Sequence, residues 1–361
     1  MAARPPTIID VAARAGVSKS LVSMVMRGDP GVSPARRAAV LAAAAALGYR
    51  VNRAAAILAG TRTGTVGVVV DDFRNPWYVP MLDGIRQVLA PRGLRLTLAD
   101  GAANAHLGAS PFDDLVSLRV DGVVLAAESP AGLVVPDGLP VVVAGERAVR
   151  PADTDTVASD EAAGGRLAVH HLVELGHRRI AHLTGTGGSA TARRVAAVAE
   201  MARSGITPVV AGDEGTDEAA GHQAARAVLA DHPGVTALFA ANDVMAMGAM
   251  AAVLEAGLRV PQDVSVIGHD ETPLASSPLV RLTTVDPHND EVGRRAAVRL
   301  LERLDAVGGG AAAGVDGRAA AGVDGRAAAG VDGAAAAALT PVRSLVDPTL
   351  VLRGTTAPPP S

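Results

Sequence analysis

The sequence predicts an all-α helix-turn-helix module at the N terminus, followed by an α/β core of two doubly wound lobes. Two observations support this prediction. Within residues 7–47, apolar positions recur at helical spacing between residues that cap helices. From Gly64 onward, short apolar runs alternate with helical segments, which is the pattern of parallel sheets covered by helices on both faces.

Composition indicates a globular protein. The chain has 361 residues, enough for two or three domains, and 49% hydrophobic residues can fill their cores. No apolar run approaches the ~20 residues of a membrane span, and the N-terminal residues do not resemble a signal peptide. We therefore expect a cytoplasmic protein without a membrane partner. The absence of cysteine excludes disulfides, thiolate metal ligands and thiol nucleophiles.

Two short helices around a tight turn are predicted near the N terminus. Thr7 and Asp10 have the spacing of a capping box, and Gly16 separates this helix from a second one over residues 18–27. One face of the second helix carries Lys19, Ser20, Ser23, Met24 and Arg27. The remaining apolar residues point elsewhere and can pack. This pattern predicts a helix-turn-helix, whose second helix enters the major groove. A three-helix bundle without nucleic-acid contacts is the alternative.

A third helix and a marginal fourth follow. Ser33 and Pro34 predict the start of the third helix, as an N-cap and a proline at the first helical position, and Gly48 predicts its end. Residues 52–59 are rich in helix formers but give only two turns, too few for a stable helix in water without a partner. A plain linker without a role in DNA binding is the alternative for this segment.

Charge is unevenly distributed along the chain. Residues 1–62 contain nine lysine or arginine residues and two aspartates, a net charge of +7, whereas the whole chain carries −4 and the remainder therefore −11. A basic module on an acidic body is suited to neutralising DNA phosphates.

The core is predicted to contain two sets of parallel strands. The first set covers residues 65–70, 94–98, 122–126 and 140–144, with helices at 79–91 and about 110–119. The second covers residues 179–184, 208–211, 237–240 and 264–268, with helices at 162–175, 190–203, 217–230 and 244–256. The carboxyl ends of strands in two such lobes face a shared crevice, where sheets of this kind bind ligands.

A tandem repeat interrupts the C-terminal region. Residues 311–334 are three copies of an eight-residue alanine- and glycine-rich unit, within an insertion of about 308–338. A solenoid needs longer units to bury a core, so we interpret the insertion as a solvated low-complexity segment and assign it no function.

Several motifs at fixed spacing occur together in the N-terminal region and in the core. They are Thr7-Ile8-Ile9-Asp10-Val11-Ala12, Ala15-Gly16-Val17-Ser18, Val32-Ser33, Leu47-Gly48-Tyr49, Gly176-His177-Arg178, Ala241-Asn242-Asp243 and Asp263-Val264-Ser265. With these motifs the chain resembles the LacI/GalR (lactose-repressor) family of bacterial transcriptional regulators, over most of residues 7–305 and a closing strand near 348–356. The resemblance implies a headpiece at residues 1–50, a hinge helix at 51–62 and a periplasmic-binding-protein-like core at 63–361, which binds the effector and dimerises.

The resemblance also implies the function and the DNA contacts. We expect a homodimeric, sequence-specific regulator, more specifically a repressor, bound to a pseudopalindromic operator in double-stranded DNA. The expected contacts are Thr7, Ser18, Lys19, Ser20, Ser23, Met24, Arg27, Ser33, Arg36, Tyr49, Asn52, Arg53 and Leu58. Leu58 is the expected apolar wedge in the minor groove. Met24 stands where the family usually has arginine, so a bidentate guanine contact is missing and the operator should differ.

By the same resemblance, a small-molecule effector binds between the lobes at Trp77, Tyr78, Glu146, Arg194, Asn242 and Asp270. An aromatic face can stack on a ring, while charged and amide side chains hydrogen-bond to the hydroxyls of a sugar or the edge of a nucleobase. At any one of these positions a structural role, as a loop cap or a turn or hinge residue, is the alternative.

Three further patterns do not indicate a nucleotide, metal or catalytic site. Gly185–Gly188 lacks the spacing of a dinucleotide loop, His170, His171 and His177 lack metal-ligand geometry, and no nucleophile elbow occurs. We therefore expect no cofactor, no metal and no enzymatic activity. An effector-independent regulator, a transport-type sugar-binding protein and a Rossmann-like enzyme are the alternatives.

Overall fold

Residues 4, 6–27, 30–49, 62–103, 105–313 and 340–360 are described by the structure, a computed structural model. They divide into two units, Met1–Thr63 and Gly64–Ser361. In the described part of the chain, no helix has the length and apolar character needed to cross a membrane.

The described residues of the first unit form three helices, α1 (Ile8–Ala15), α2 (Lys19–Arg27) and α3 (Pro34–Leu47). The predicted capping box is present, since Asp10 N donates to Thr7 Oγ1 and Thr7 N donates to Asp10 Oδ2. Gly16 ends α1 with φ of 64°, a left-handed conformation that glycine adopts without strain. The buried faces of the helices meet in a small core of Val11, Ala12, Val22, Val25, Val40, Ala43 and Ala44.

Helix α3 begins and ends where the sequence predicts, but its cap differs in detail. Ser33 occupies the N-cap position without making a side-chain capping hydrogen bond, and Pro34 follows at the first helical position. Proline has no N–H to be satisfied at that position, so one fewer backbone donor at the start of the helix needs a partner.

The second unit contains two lobes, each built on a six-stranded sheet. The first-lobe elements are β1 (Thr65–Val70), α4 (Tyr78–Leu89), β2 (Arg95–Asp100), α5 (Pro111–Ser117), β3 (Gly122–Ala126), β4 (Val141–Ala144), β5 (Asp155–Ser159) and, much later in the chain, β11 (Arg343–Val346). The strand order is β11-β5-β4-β3-β1-β2, with all neighbours parallel. Every residue of β3, β4 and β5 is buried, because helices cover both faces of the sheet.

The second lobe repeats this plan. Its elements are α6 (Glu161–Glu174), β6 (Ile180–Leu183), α7 (Gly187–Arg203), β7 (Val209–Ala211), α8 (Glu218–Asp231), β8 (Ala237–Ala240), α9 (Asp243–Glu255), β9 (Ser265–His269), β10 (Thr283–Asp286) and β12 (Thr349–Val351). The strand order is β12-β10-β9-β8-β6-β7, and β12 is antiparallel to β10 whereas the other described pairs are parallel. The two doubly wound lobes predicted from the sequence are confirmed.

The described elements place three crossings of the chain between the lobes. It leaves the first lobe after β5, returns after β10 through helix α10 (Asn289–Ala313), and crosses again between β11 and β12. Helix α10 packs in the first lobe, where Val292 and Leu300 share a core with Ile85 of α4. It also includes residues 308–313 of the predicted insertion, while residues 314–339 lie outside the described residues.

Candidate functional site

The second helix of the headpiece has one packed face and one accessible face. Val22 and Val25 are buried in the headpiece core, whereas Lys19 and Ser20 are exposed and Ser23 and Met24 are half-buried. This orientation leaves the start of α2 accessible, as groove recognition by a helix-turn-helix requires.

Other predicted DNA contacts have mixed environments in the described structure. Ser33 and Arg36 are exposed at the start of α3, and Tyr49 packs partly against the headpiece core. Ser18 Oγ accepts a hydrogen bond from Leu21 N, and Thr7 takes part in the capping box, so both also stabilise helix starts. The side chain of Arg27 and all of Asn52, Arg53 and Leu58 lie outside the described residues.

A cavity of about 660 Å³ lies between the two lobes of the second unit, at the carboxyl ends of their strands. Both lobes contribute polar side chains to its lining. The acidic residues in the lining are Asp71, Asp72, Glu128, Asp217, Glu218 and Asp270, and the basic residues are Arg74, Arg147 and Arg193. The cavity is therefore polar and more acidic than basic.

An aromatic pair forms part of the first-lobe wall. The rings of Trp77 and Tyr78 meet edge to face with centroids 4.9 Å apart. The Arg147 guanidinium lies 5.3 Å from the Trp77 ring centroid and donates to Ala144 O at 2.9 Å. Asn75 Oδ1 accepts a hydrogen bond from Trp77 N and fixes the loop that presents the ring. These contacts hold the indole in place, with a cation over one face.

Asp71 links the ends of two strands at this wall. Its Oδ1 accepts from Glu128 N at 3.0 Å, and its Oδ2 lies 3.3 Å from the Tyr78 hydroxyl and 3.8 Å from Arg147 Nη1. Burial raises the pKa of the Asp71 carboxyl, and the positive charge of Arg147 opposes that shift. Sequence analysis missed Asp71, although it immediately follows β1 at the edge where ligands bind.

The second-lobe wall is built on Arg193 of α7, which is 7% exposed. Its Nη1 donates to Ala241 O at 2.6 Å and lies 3.5 Å from Asp270 Oδ1, while its Nε is 3.3 Å from Glu161 Oε2. Burial raises the pKa of Asp270 to about 6, and Arg193 opposes this shift. The wall therefore presents a fixed guanidinium beside a carboxylate.

Asn242 and Asp243 hold the start of helix α9 beside this wall. Asn242 Oδ1 caps the helix by accepting from Met245 N, and Asn242 Nδ2 donates to Thr216 O. Asp243 is fully buried and accepts from Thr272 N and Thr284 Oγ1. Asn242 thus lines the cavity and also has the structural role of a helix cap.

Four of the six residues predicted to bind an effector line the cavity together: Trp77, Tyr78, Asn242 and Asp270. Arg194 and Glu146 do not line it. The Glu146 carboxylate instead pairs with Arg343 of β11 at 2.6 Å. The lining residues are their sequence neighbours Arg193 and Arg147.

Helical geometry explains the position of Arg193. The buried residues of α7 include Ala190, Arg193, Ala197 and Met201, spaced by three or four residues on one face. Arg194 is turned about a quarter of a helical turn away from that face. Small and apolar residues recur three or four positions from residue 193, and this spacing in the sequence identifies Arg193 as the arginine that faces inward.

The described residues contain no group of three or more histidine, aspartate or glutamate side chains that could hold a metal ion. A helix-turn-helix module and a cleft between two α/β lobes in one chain are the architecture of ligand-responsive DNA-binding regulators.

Comparison with known proteins identifies the family. Residues 7–52 match the profile described as bacterial regulatory proteins, lacI family, and residues 169–315 match a periplasmic binding protein-like domain. The HTH-type transcriptional regulator CelR of Thermobifida fusca is 35% identical over 320 residues, which cover 83% of this chain and 92% of that protein. The chain belongs to the LacI family of bacterial transcriptional regulators, and its helix-turn-helix headpiece binds DNA.

Solved structures support the same assignment. The lac repressor dimer bound to operator and the anti-inducer ONPF has a TM-score of 0.76 and 27% identity, and the match covers 98% of this chain and 100% of that chain. A complex of the transcriptional regulator CelR with cellobiose has a TM-score of 0.61 and 29% identity, and the match covers 97% of this chain and 99% of that chain.

Proposed function

We propose that this regulator is a homodimeric repressor whose affinity for its operator is set by a sugar-like or nucleoside-like molecule bound between the core lobes. The observation that carries this proposal is the convergence of Trp77, Arg193 and Asp270 on one cavity. An indole face can stack on a sugar or base ring, while a guanidinium and a carboxylate provide donors and acceptors for hydroxyl or ring-edge groups. The cellobiose complex of CelR supports a sugar-like ligand.

The effector acts through the balance between two arrangements of the core. A ligand shifts this balance only by its difference in affinity for the two arrangements, and DNA affinity shifts by the same coupling free energy. Two symmetric headpieces on one dimer match a pseudopalindromic site. Residues 1–50 then serve as the DNA-binding headpiece, 51–62 as the hinge and 63–361 as the effector-binding and dimerisation core.

The DNA-facing surface of this proposal is the start of α2. Lys19, Ser20, Ser23 and Met24 contact the groove, with Arg36 near the phosphate backbone. In the hinge, Leu58 inserts into the minor groove. The protein acts in the cytoplasm as a binding protein and catalyses no reaction.

Two measurements on the full-length protein test the proposal. Incubation with a library of genomic fragments, followed by gel retardation, should enrich a short inverted repeat. A thermal-shift screen with cellobiose, D-ribose, polyols and nucleosides should then find a stabilising ligand that changes affinity for that repeat. Failure of all tested DNA fragments to bind at low ionic strength would contradict the repressor function. A ligand that stabilises the core but leaves operator affinity unchanged would contradict the proposed coupling.

A further inference from the structure

The N terminus of α7 in the second lobe receives no cap from its own segment. Thr186 stands at the N-cap position without a side-chain capping hydrogen bond, and the first turn contains no acidic residue. The first N–H groups of a helix lack partners within the helix and carry a partial positive charge. Because this helix end lies on the cavity wall, its exposed donors would attract anionic ligands.

A carboxylate from the opposite lobe occupies this position. Glu128 follows β3 of the first lobe, and its Oε1 accepts from Gly188 N in α7 at 2.8 Å. The same carboxylate accepts from Ala148 N and Val149 N of its own lobe, each at 3.1 Å. Three main-chain donors, one of them across the cleft, therefore surround the Glu128 carboxylate.

The backbone around this contact requires glycine. A Cβ on Gly188 would lie 2.5 Å from Ala148 N and 2.6 Å from the carbonyl carbon of Arg147, closer than real contacts allow. Gly187 has φ of +90°, and a Cβ there would lie 3.3 Å from Glu128 Oε1. A second bond crosses the lobes beside it, from Ser189 Oγ to Glu146 O at 3.1 Å. The two lobes thus approach each other at van der Waals distance where Glu128 makes its hydrogen bond.

We propose that Glu128 is an interlobe helix cap that stabilises the closed arrangement of the lobes and excludes anionic ligands from the cleft. Its carboxylate supplies the negative charge that the α7 N terminus would otherwise take from a ligand. The six acidic and three basic residues of the lining reinforce the exclusion. The cleft then selects uncharged ligands over their phosphorylated or carboxylated forms. This selectivity rests on the proposed function, whereas the cap itself does not.

Three variants separate the effect of the charge at residue 128 from the effect of its side-chain length. Glu128→Ala removes the charge and shortens the side chain, and Glu128→Asp keeps the charge on a side chain one methylene shorter. Glu128→Gln keeps the length without the charge. Asp72→Asn is the matched control, because Asp72 lines the same cavity but pairs with Arg74. It lowers the negative charge of the cleft equally without uncapping the helix.

Hydrogen exchange of the full-length, ligand-free protein tests the cap. We expect peptides covering residues 186–190 and 146–150 to exchange about tenfold faster in Glu128→Ala and Glu128→Asp, with a smaller change in Glu128→Gln and none in Asp72→Asn. A tenfold change corresponds to about 1.4 kcal/mol, close to the lower end of the contribution of a hydrogen bond to a charged group. Exchange at the parental rate in Glu128→Ala would overturn the interlobe cap.

Inorganic phosphate tests the exclusion. Compared with sodium chloride of equal ionic strength, we expect inorganic phosphate at about 100 times its Kd to raise the melting temperature of Glu128→Ala by a few degrees. The parent and Asp72→Asn should not respond. An equal response in parent and Glu128→Ala would overturn the exclusion. Since neither measurement uses an effector, failure to find a sugar or nucleoside ligand would affect the proposed function alone.

Discussion

Arg193 Nη1 lies 2.8 Å from His269 Nδ1, in a position where Arg193 is 7% exposed and His269 is fully buried. A guanidinium is always charged and can only donate, so Nδ1 accepts and the ring proton lies on Nε2. That nitrogen is 3.6 Å from Glu161 Oε2. Burial lowers the pKa of His269 to about 3, with a further contribution from Arg193, and the ring is therefore neutral at physiological pH. The buried His269 ring thus fixes the orientation of the Arg193 guanidinium at the cavity wall.

This arrangement predicts that Arg193, and not Arg194, contributes to ligand binding. Replacing Arg193 by alanine should weaken binding by roughly 10-fold to 100-fold, since a hydrogen bond to a charged group contributes about 1.5–3 kcal/mol. Arg194→Ala serves as the matched variant and should bind within about twofold of the parent. Isothermal titration with cellobiose, or with the ligand found by thermal shift, measures both. A loss confined to Arg194→Ala would restore the assignment made from the sequence.

The pair of adjacent arginines shows what sequence reasoning can and cannot place. The resemblance predicted Arg194 in α7, whereas its neighbour Arg193 lines the cavity. A one-residue difference on a helix is a rotation of about 100°. In the loop after β4, likewise, Arg147 lines the cavity and its predicted neighbour Glu146 does not. Which of two neighbours faces a cavity depends on packing against the other lobe and on Arg343, almost 200 residues away in the chain.

The raised pKa of Asp270 predicts that ligand binding depends on pH. Its pKa is raised to about 6 by burial, against the lowering effect of Arg193, and it neighbours the neutral His269 and the buried Asp243. An ionised carboxylate accepts hydrogen bonds from ligand hydroxyls better than a protonated one. Affinity should therefore fall as pH decreases from 7.5 to 5. Titrations across this range with Asp270→Asn should show weaker, pH-independent binding and unchanged operator affinity without ligand. A parental pH profile in that variant would exclude Asp270 as its origin.

The charge of Lys19 in the headpiece predicts how DNA affinity depends on salt concentration. Lys19 is exposed at the start of α2 and is the single lysine of the chain. If it neutralises a phosphate, Lys19→Gln should lower the slope of log Kd against log salt by about one unit. Arg14→Gln makes the same charge change on α1, outside the proposed contacts, and should leave the slope closer to the parental value. Equal slopes for the two variants would show that only net charge matters.

The headpiece and most strands follow from local sequence, whereas the crossovers between lobes do not. The capping box at Thr7 and the glycine at position 16 predict helix ends because their effects are confined to one turn. Strands β5 and β11 have no counterpart among the predicted strands. They pair in parallel, with Ala158 opposite Leu345, and residues so far apart carry no local signal of their pairing.

Asp243 predicts a decline in core stability at alkaline pH. Burial and, to a smaller extent, the nearby Asp270 raise its pKa to about 8, against the lowering effect of hydrogen bonds from Thr284 and Thr272. Between the ordinary aspartate pKa of 3.8 and about 8, the folded state therefore holds a proton that the unfolded state has released. Stability from this group is greatest below the lower value and falls by about 1.4 kcal/mol per pH unit until the upper value is reached.

Urea unfolding between pH 6.5 and 8 measures this decline, with fluorescence of Trp77, the single tryptophan of the chain, reporting on the core. Asp270 contributes little in this interval because its pKa is about 6. Asp243→Asn should be less stable at pH 6.5 but should lose the slope, since an amide does not titrate. Asp263→Asn is the control: its pKa is lowered by Arg259, so the carboxylate is ionised in both states throughout this interval and the slope should persist. Parallel declines in the parent and Asp243→Asn would show that another group releases the proton.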